Sequence, residues 1–329
     1  MTTPDAISPV SRTALAVAAV RARESERPDK LFDDPYAAAF RSAAVQSAAP
    51  RACPVDLAAF GTGCRFGAGE WGCGASSCKA EEGGDAERRQ PTTTPQMGVP
   101  HPHVPGMIHR TGPSPLAVGF AHHAVIRTRF YDDALLAACD AGIRQVVLLA
   151  AGLDSRAFRL PWPPDTSVYE LDLPPILTFK EGVLDSRTAV ARCARTVLPV
   201  DLLDGAWAET LREAGFDPAA PTAWLVEGLL VYLTADEAAG VLGVVGELSA
   251  PGSRIAMERG SGTVVRPDGP ELARITELWK GGLGGATVDW LREHGWAVEE
   301  YELRELSERY GRPVANPLPT GFLSARRAG

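Results

Sequence analysis

From residue 117 to the end of the chain, short apolar runs alternate with longer segments that have helical periodicity. Runs of this length suit buried strands, and the helical segments between them are long enough to cross over a sheet. Strands that alternate with helices favour a mostly parallel sheet covered on both faces, with right-handed crossovers. We therefore predict an α/β fold with seven strands, Val146–Ala150, Val168–Leu171, Arg195–Val200, Ala223–Glu227, Arg254–Glu258, Trp296–Tyr301 and Gly321–Ala325.

The rest of the chain divides into two regions of different character. Residues 1–42 have helical character and predict a helical cover, in which Ser11 caps a first helix and a second begins near Asp34. Residues 43–116 lack hydrophobic periodicity, are dense in Gly and Pro, and predict an irregular insertion or lid. A long helix over about 115–141 then leads into the α/β domain, residues 117–329.

Charge and composition exclude several classes of partner. The formal net charge is -8 and no face shows an excess of Lys and Arg, so we expect no nucleic acid partner. The longest apolar run is too short to span a bilayer and the N-terminus lacks a signal-peptide layout, so we expect no membrane association and a cytoplasmic location.

Cysteine spacing argues against a metal site. Four of the six cysteines cluster within the insertion, but they lack the paired C-x2-C spacing of ordinary zinc sites. We expect reduced thiols and no metal. An alternative is metal binding by the H-x-H pair His101 and His103 with this cluster.

The first predicted strand ends in a loop of small residues, Ala150, Ala151 and Gly152. In an open parallel sheet, ligands bind at the carboxyl ends of the strands, where small residues let the backbone approach closely. Only one glycine of a G-x-G-x-x-G fingerprint is present, which disfavours a pyrophosphate and favours a ligand without phosphate, such as S-adenosylmethionine. The alternative is a tight turn that packs strand on helix.

Acidic residues follow the next two strands. Asp172, with Glu170 as the alternative, lies about 20 residues after the glycine loop, the spacing of a carboxylate that accepts hydrogen bonds from ribose hydroxyls. Asp201 is placed to receive an adenine amino group while Leu202 packs on the ring. The alternative role for both aspartates is to cap the helix that follows.

The fourth strand also ends in polar residues. Glu227 leaves an apolar strand and is a candidate to hold a ligand ammonium group. Tyr232 follows closely and is a candidate for the methyl-transfer site. The alternative is that Tyr232 is a half-buried core ring with its hydroxyl at the surface.

As a set, these segments resemble one family. The matching strings are RPDKLFDDPYAAAF, RTRFYDD, VVLLAAGLDSRAFRL, YELDLPPIL, the Asp201-Leu202 pair with Trp207 after it, and EGLLVYLT. Together they resemble the leucine carboxyl methyltransferase-like branch of class I S-adenosylmethionine-dependent methyltransferases, which includes bacterial members found with polyketide pathways. The resemblance covers about 8–42 and 117–329.

This resemblance implies a Rossmann-like domain with a terminal antiparallel strand and an N-terminal helical cover. It implies that Arg127, or else Arg129, pairs with the methionine carboxylate and that Glu227 lies near the methionine amino group. The other roles that it implies are the loop glycine for Gly152, the ribose ligand for Asp172 and the adenine pair for Asp201 and Leu202.

The chain departs from the family pattern at two places. Ala150 stands where the family commonly has glycine, which brings a methyl group close to the cofactor. The insertion at 43–116 is longer than usual and borders the acceptor pocket in the family, so it bears on the identity of the acceptor.

The predicted activity is O-methylation of a carboxylate or hydroxyl on a small-molecule natural product, with polyketides as one candidate class. A carboxylate is ionised near pH 7 and needs no base, whereas a phenol with a pKa of about 10 benefits from one. His122 and His123 are candidate bases, and the alternative is that they are solvated or packed. A non-catalytic cofactor-binding subunit is the other hypothesis, while a nicotinamide-dependent oxidoreductase is disfavoured because the Tyr-x-x-x-Lys pair is absent.

Overall fold

The structure is a computed structural model that describes residues 9–47, 115–260, 276–315 and 317–329. The described residues form a seven-stranded sheet with helices between the strands. The strands are β1 (Gln145–Leu149), β2 (Ser167–Asp172), β3 (Ala194–Pro199), β4 (Thr222–Val226), β5 (Arg254–Arg259), β6 (Trp296–Glu302) and β7 (Gly321–Arg327). The helices are α1 (Pro9–Ser25), α2 (Ala37–Ser47), α3 (Pro115–Asp140), α4 (Arg156–Arg159), α5 (Pro174–Ser186), α6 (Trp207–Glu213), α7 (Ala235–Glu247), α8 (Thr287–Glu293) and α9 (Leu303–Arg309).

The strand order across the sheet is β3-β2-β1-β4-β5-β7-β6. Strands β1 to β5 pair in parallel, whereas β7 is antiparallel to both β5 and β6. The order reverses between β1 and β4, which places a ligand crevice at the carboxyl ends of these strands. The predicted Rossmann-like α/β fold with a terminal antiparallel strand is confirmed, and each predicted strand lies within two residues of the observed one.

Burial explains which strands lie in the centre. Every residue of β1 and β4 is buried, as expected for parallel strands covered on both faces. Because successive side chains alternate, Val146 and Leu148 join one apolar cluster with residues of α3, while Val147 and Leu149 join a second with residues of α7. These two clusters hold the sheet between two helical layers.

The two N-terminal helices differ in how well the sequence predicted their starts. Ser11 lies inside α1, which begins at Pro9, so the predicted cap at Ser11 is wrong. Asp34 does cap the start of α2, because its Oδ1 accepts hydrogen bonds from the backbone N–H groups of Tyr36 and Ala37, both at 3.1 Å. Its other oxygen pairs with Nε of Arg21 at 3.0 Å, which ties α2 to α1.

Most of the predicted insertion lies outside the described residues. Helix α2 runs to Ser47, past the predicted boundary at 42, and α3 begins at Pro115, the predicted start. Between them, residues 48–114 contain Cys53, Cys64, Cys73, Cys78, His101, His103 and His109, and all of these lie outside the described part of the chain. Within the described ranges, Cys139 and Cys193 are free thiols. None of the helices in those ranges combines the length and the hydropathy of a membrane-spanning segment.

Candidate cofactor-binding site

A cavity of about 440 Å³ lies at the carboxyl ends of β1 to β4. This volume falls within the range of about 300–1,000 Å³ that is typical of small-molecule sites. Its wall includes eight residues that the sequence predicted for the site, namely Arg127, Ala150, Gly152, Asp172, Asp201, Leu202, Glu227 and Tyr232. Helix α1 contributes Thr13, Ala14, Val17 and Arg21 to the same wall.

The loop after β1 adopts a left-handed backbone. Ala150 has φ 52° and Gly152 has φ 46°. Residues other than glycine are disfavoured at such positive φ values. The turn brings the backbone N–H of Gly152 to Oδ2 of Asp172, at 2.6 Å. Ala150 is therefore strained at a position where glycine would not be.

Asp172 lies at the end of β2 with both oxygens ordered by backbone donors. Oδ1 accepts the N–H of Leu173 at 2.7 Å and Oδ2 accepts that of Gly152. Burial raises the pKa of Asp172, although the two backbone hydrogen bonds oppose the shift. Each oxygen keeps a further lone pair for a ligand donor.

The alternative residue, Glu170, does not line the cavity. Its side chain is fully buried, where Oε2 accepts from Nζ of Lys180 at 2.6 Å and from Nη2 of Arg195 at 2.7 Å. Glu170 and Asp172 share one face of β2, but Glu170 lies deeper in the sheet beneath α5. Its role is a buried ion pair, so the alternative assignment to ribose is not supported.

Asp201 follows β3, and the alternative role of a cap for the next helix is wrong. Its Oδ1 accepts the N–H of Leu203 at 2.9 Å in a turn, whereas α6 begins at Trp207 with Ala206 at its N-cap and has no side-chain cap. The residue is nevertheless exposed and lines the cavity together with its neighbour Leu202. An acceptor beside an apolar side chain suits an adenine ring with its amino group.

Arg127 and Glu227 form an ion pair on the cavity wall. Nε of Arg127 lies 3.0 Å from Oε1 of Glu227, and Nη1 of Arg127 lies 2.9 Å from Oε1 of Glu258. Arg129, the alternative to Arg127, instead pairs with Asp133 at 2.9 Å and donates to the carbonyl of Leu31. Of the two candidates, Arg127 is therefore the one that lines the cavity.

Sequence reasoning missed the charges behind this pair. Nη1 of Arg156 donates to Oε2 of Glu227 at 2.8 Å and also pairs with Asp154, while Nε of Arg156 donates to Asp132 at 2.7 Å. The Arg156 side chain is 1 % exposed. Arg156 belongs to the GLDSR string, which is part of the family resemblance and points to this residue. Its contact with Glu227, however, joins distant parts of the sequence.

The arginines control the ionisation of the nearby acids. Burial on its own would raise the pKa of Glu227, but Arg156 and Arg127 outweigh burial and lower it. Burial opposes ionisation of Asp154 in the same way, and Arg156 with other nearby cations lowers its pKa to about 2. Glu258 differs, because burial raises its pKa despite Arg127. The site therefore holds Glu227 and Asp154 as carboxylates at neutral pH.

Tyr232 joins the sheet end to the N-terminal cover. It lies in a short 3-10 helix after β4, Leu230–Tyr232, and its hydroxyl donates to Oγ1 of Thr13 at 3.1 Å. The ring is half-buried, as the alternative predicts, but its hydroxyl bonds to helix α1 and the side chain lines the cavity. Helix α1 is therefore fixed against the cavity by this contact.

Neither predicted base lies at the cavity. Nε2 of His122 lies 2.9 Å from the carbonyl oxygen of Arg312, and the ring of His123 stacks on Phe322 with centroids 5.2 Å apart. Burial lowers the pKa of His123 to about 3, with Arg127 adding to the shift. Among the described residues that line the cavity neither histidine is present, so their proposed role as general bases is not supported.

One part of the cavity wall combines an aromatic ring with a lysine. Phe120 and Lys280 line the cavity near Tyr232, and Phe120 stacks on Trp279 with centroids 6.2 Å apart. The backbone fixes this segment, because the N–H of Lys280 donates to the carbonyl of Val231 at 2.8 Å. Nζ of Lys280 lies 3.0 Å from Oε2 of Glu237 at the exposed rim. Sequence reasoning did not identify either lining residue.

Comparison with known proteins agrees with this geometry. The leucine carboxyl methyltransferase family profile matches residues 87–246. A protein from Parafrankia sp. (strain EAN1pec), named as an S-adenosyl-L-methionine-dependent methyltransferase, is 42% identical over 97% of this chain and 87% of its own. One of the same name from Frankia alni is 43% identical over 97% of this chain and 94% of its own.

A solved structure of a duf574 family protein from Streptomyces avermitilis is also similar, with a TM-score of 0.49 and 17% identity over 64% of this chain and 85% of that chain. The sheet order and the close relatives define an S-adenosylmethionine-dependent methyltransferase. The chain belongs to the leucine carboxyl methyltransferase family.

The residues of the cavity fit this cofactor in their chemistry. Asp172 and Asp201 offer carboxylate acceptors at the ends of adjacent strands, as a ribose and an amino group require. Arg127 and Glu227 offer one cation and one anion side by side, which matches the carboxylate and ammonium of a methionine.

Proposed function

We propose that the protein transfers the methyl group of S-adenosylmethionine to a carboxylate oxygen of a small molecule. The observation that carries the proposal is that Lys280 lines the cavity, as Phe120 and Tyr232 do, with its ammonium group paired with Glu237 at the rim. An ammonium group attracts an anionic acceptor, and the aromatic side chains offer apolar surface for the rest of it. An aromatic or other flat carboxylic acid fits this lining best.

The cofactor supplies an activated methyl on a sulfonium, and the protein supplies binding, orientation and exclusion of water. In this assignment Asp172 binds the ribose hydroxyls, while Asp201 and Leu202 bind the adenine. Arg127 binds the methionine carboxylate and Glu227 binds its ammonium. Tyr232, between Thr13 and the cavity, orients the acceptor.

The absence of a histidine from the described lining favours a carboxylate over a hydroxyl acceptor. A carboxylic acid has lost its proton near pH 7, so its oxygen attacks without a base. A phenol or an alcohol needs help with proton removal, and His123 is too weak a base because its pKa is lowered to about 3.

We propose a small-molecule natural product as the acceptor, with polyketide acids as one candidate class. The net charge of -8 gives little attraction to nucleic acid or to an anionic membrane surface. Helix α1, through Thr13 and Ala14, covers part of the cavity, which suits a small acceptor better than a folded macromolecule.

A matched panel of acceptors tests the proposal. Purified protein is incubated with S-adenosylmethionine labelled in the methyl group, together with aromatic acids, their corresponding alcohols and the corresponding phenols. We expect label in base-labile methyl esters of the acids and release of S-adenosylhomocysteine. Label in phenol ethers alone would reject the carboxylate acceptor, and saturable cofactor binding without turnover on any acceptor would favour a non-catalytic subunit.

A further inference from the structure

We propose that Arg127 and Glu227 exchange their mutual ion pair for the carboxylate and ammonium of the cofactor, and that Glu258 and Arg156 are positioning residues that hold the separated partners in place. This inference rests on the proposed roles of Arg127 and Glu227. It assigns a function to two residues that have no place in the cofactor contacts themselves.

Arg127 is held on the side of Glu258. Its Nη1 lies 2.9 Å from Oε1 of Glu258, while its Nε faces Oε1 of Glu227 at 3.0 Å. Glu258 is fixed in turn, because the backbone N–H of Gly228 donates to both of its oxygens at 2.9 Å and 3.0 Å. Arg127 can therefore release Glu227 and still keep a carboxylate partner.

Glu227 is held in the same way by a different arginine. Its Oε2 accepts from Nη1 of Arg156 at 2.8 Å, which leaves Oε1 as the oxygen shared with Arg127. Arg156 is fully buried and is fixed by Asp132 and Asp154. Glu227 can therefore release Arg127 and remain both oriented and ionised.

The exchange leaves each of the two side chains with the same number of oppositely charged partners. Breaking a buried ion pair is costly when a charge is left without a partner. A zwitterion brings one group of each sign, so Arg127 gains a carboxylate where it loses one and Glu227 gains an ammonium where it loses a guanidinium. Without Glu258 or Arg156, one partner would lose its remaining restraint and would no longer be oriented for the ligand.

Two ligands that differ only in the amino acid portion test this idea. S-adenosylhomocysteine carries the zwitterion, and 5′-methylthioadenosine keeps the thioadenosine but lacks it. Calorimetric dissociation constants are measured for both with the full chain, for the wild type, Glu258→Gln and Arg156→Lys. We expect each variant to weaken S-adenosylhomocysteine binding by about tenfold and methylthioadenosine binding by less than about threefold.

Arg195→Lys is the matched control. Arg195 also bridges carboxylates, Glu170 and Glu181, but neither of them lines the cavity, whereas Glu227, a partner of Arg156, does. Substitution of Arg195 should lower the thermal stability without changing the ratio of the two dissociation constants. If Arg156→Lys does not fold, the isosteric variant Glu258→Gln still decides the outcome.

Several results would overturn the inference. An equal loss of affinity for both ligands would indicate a general structural role, and unchanged affinity for S-adenosylhomocysteine would exclude a positioning role. Failure of the wild type to bind either ligand would instead reject the proposed site. Binding of both ligands by the wild type with an unchanged ratio in the variants rejects the inference alone.

Discussion

The backbone nitrogen of Gly152 lies 2.6 Å from Oδ2 of Asp172, and this hydrogen bond joins the carboxyl ends of β1 and β2. The contact orients the carboxylate before any ligand arrives, because Oδ1 is held by Leu173 as well. A preoriented acceptor loses little conformational freedom on binding. The loop and the acid therefore act as one unit, and the backbone of Ala150 is part of that unit.

Replacing Ala150 by glycine should stabilise the protein. Alanine at φ 52° is strained by about 1–2 kcal/mol relative to its ordinary conformation, and glycine is not. We expect the midpoint of thermal unfolding to rise by about 2 °C. The control is Ala151→Gly, because Ala151 itself is not at positive φ and glycine there should destabilise by about 0.4–1 kcal/mol. A lower midpoint for both variants would show that Ala150 is not strained.

Removing the carboxylate of Asp201 should weaken cofactor binding. We expect Asp201→Ala to raise the dissociation constant of S-adenosylhomocysteine by about tenfold, as loss of a charged hydrogen-bond acceptor does. Asp204→Ala is a close control, because Asp204 also accepts from a backbone N–H two residues on, at 3.2 Å, but does not line the cavity. Equal weakening in the two variants would mean that the turn, and not the acceptor, matters.

The sequence predicted the fold well because its strongest signals are local. Most strands contain a short apolar run, and every proposed cofactor ligand except Arg127, which lies on α3, is at the end of a strand or within a few residues after it. The choice between Glu170 and Asp172 needed the structure, because both lie on one face of β2 and only depth along the strand separates them. Periodicity carries no information about such depth.

The parts that the sequence missed depend on contacts between distant segments. Arg156 meets Glu227, and Glu258 meets Arg127, through packing that no spacing rule describes. His123 has the residue type of a base, but its ring packs on Phe322 from the opposite end of the chain. Helix α1 likewise forms part of the cavity wall, although the sequence predicted only a helical cover over the domain.

Lys280 should matter for the acceptor and not for the cofactor. We expect Lys280→Gln to raise KM for a carboxylate acceptor by about tenfold through loss of a charged contact, with little change in S-adenosylhomocysteine affinity. Glu237→Gln is the control, since it removes the ion-pair partner of Lys280 while glutamine preserves the capping box with Thr234. An equal rise in KM for both variants would indicate that the pair only braces the rim.

The burial of His123 predicts a dependence of stability on pH. Its folded pKa of about 3 lies below the unfolded value of about 6.5, so the unfolded chain binds a proton that the folded chain does not between these values. The free energy of unfolding is therefore highest above about pH 6.5. It decreases as the pH falls towards the folded pKa, by up to about 1.4 kcal/mol per pH unit.

The variant His123→Phe keeps a ring against Phe322 and removes the titrating group. Urea unfolding at several values between about pH 5 and 6.5 should give a shallower slope for the variant than for the wild type. Identical slopes would show that His123 becomes protonated in the folded protein as readily as in the unfolded chain. His122, whose pKa burial also lowers, is unchanged in both proteins and contributes equally to each.

The buried position of Arg156 limits how this protein can evolve. Its three carboxylate partners come from three segments, with Asp132 on α3, Asp154 after β1 and Glu227 after β4. Loss of Arg156 leaves these three carboxylates without their shared cation, so its single replacement is selected against even where its own helix would accept another residue. Descendants of this chain should therefore keep or exchange these four residues together, while the wall around Lys280 is free to diverge toward new acceptors.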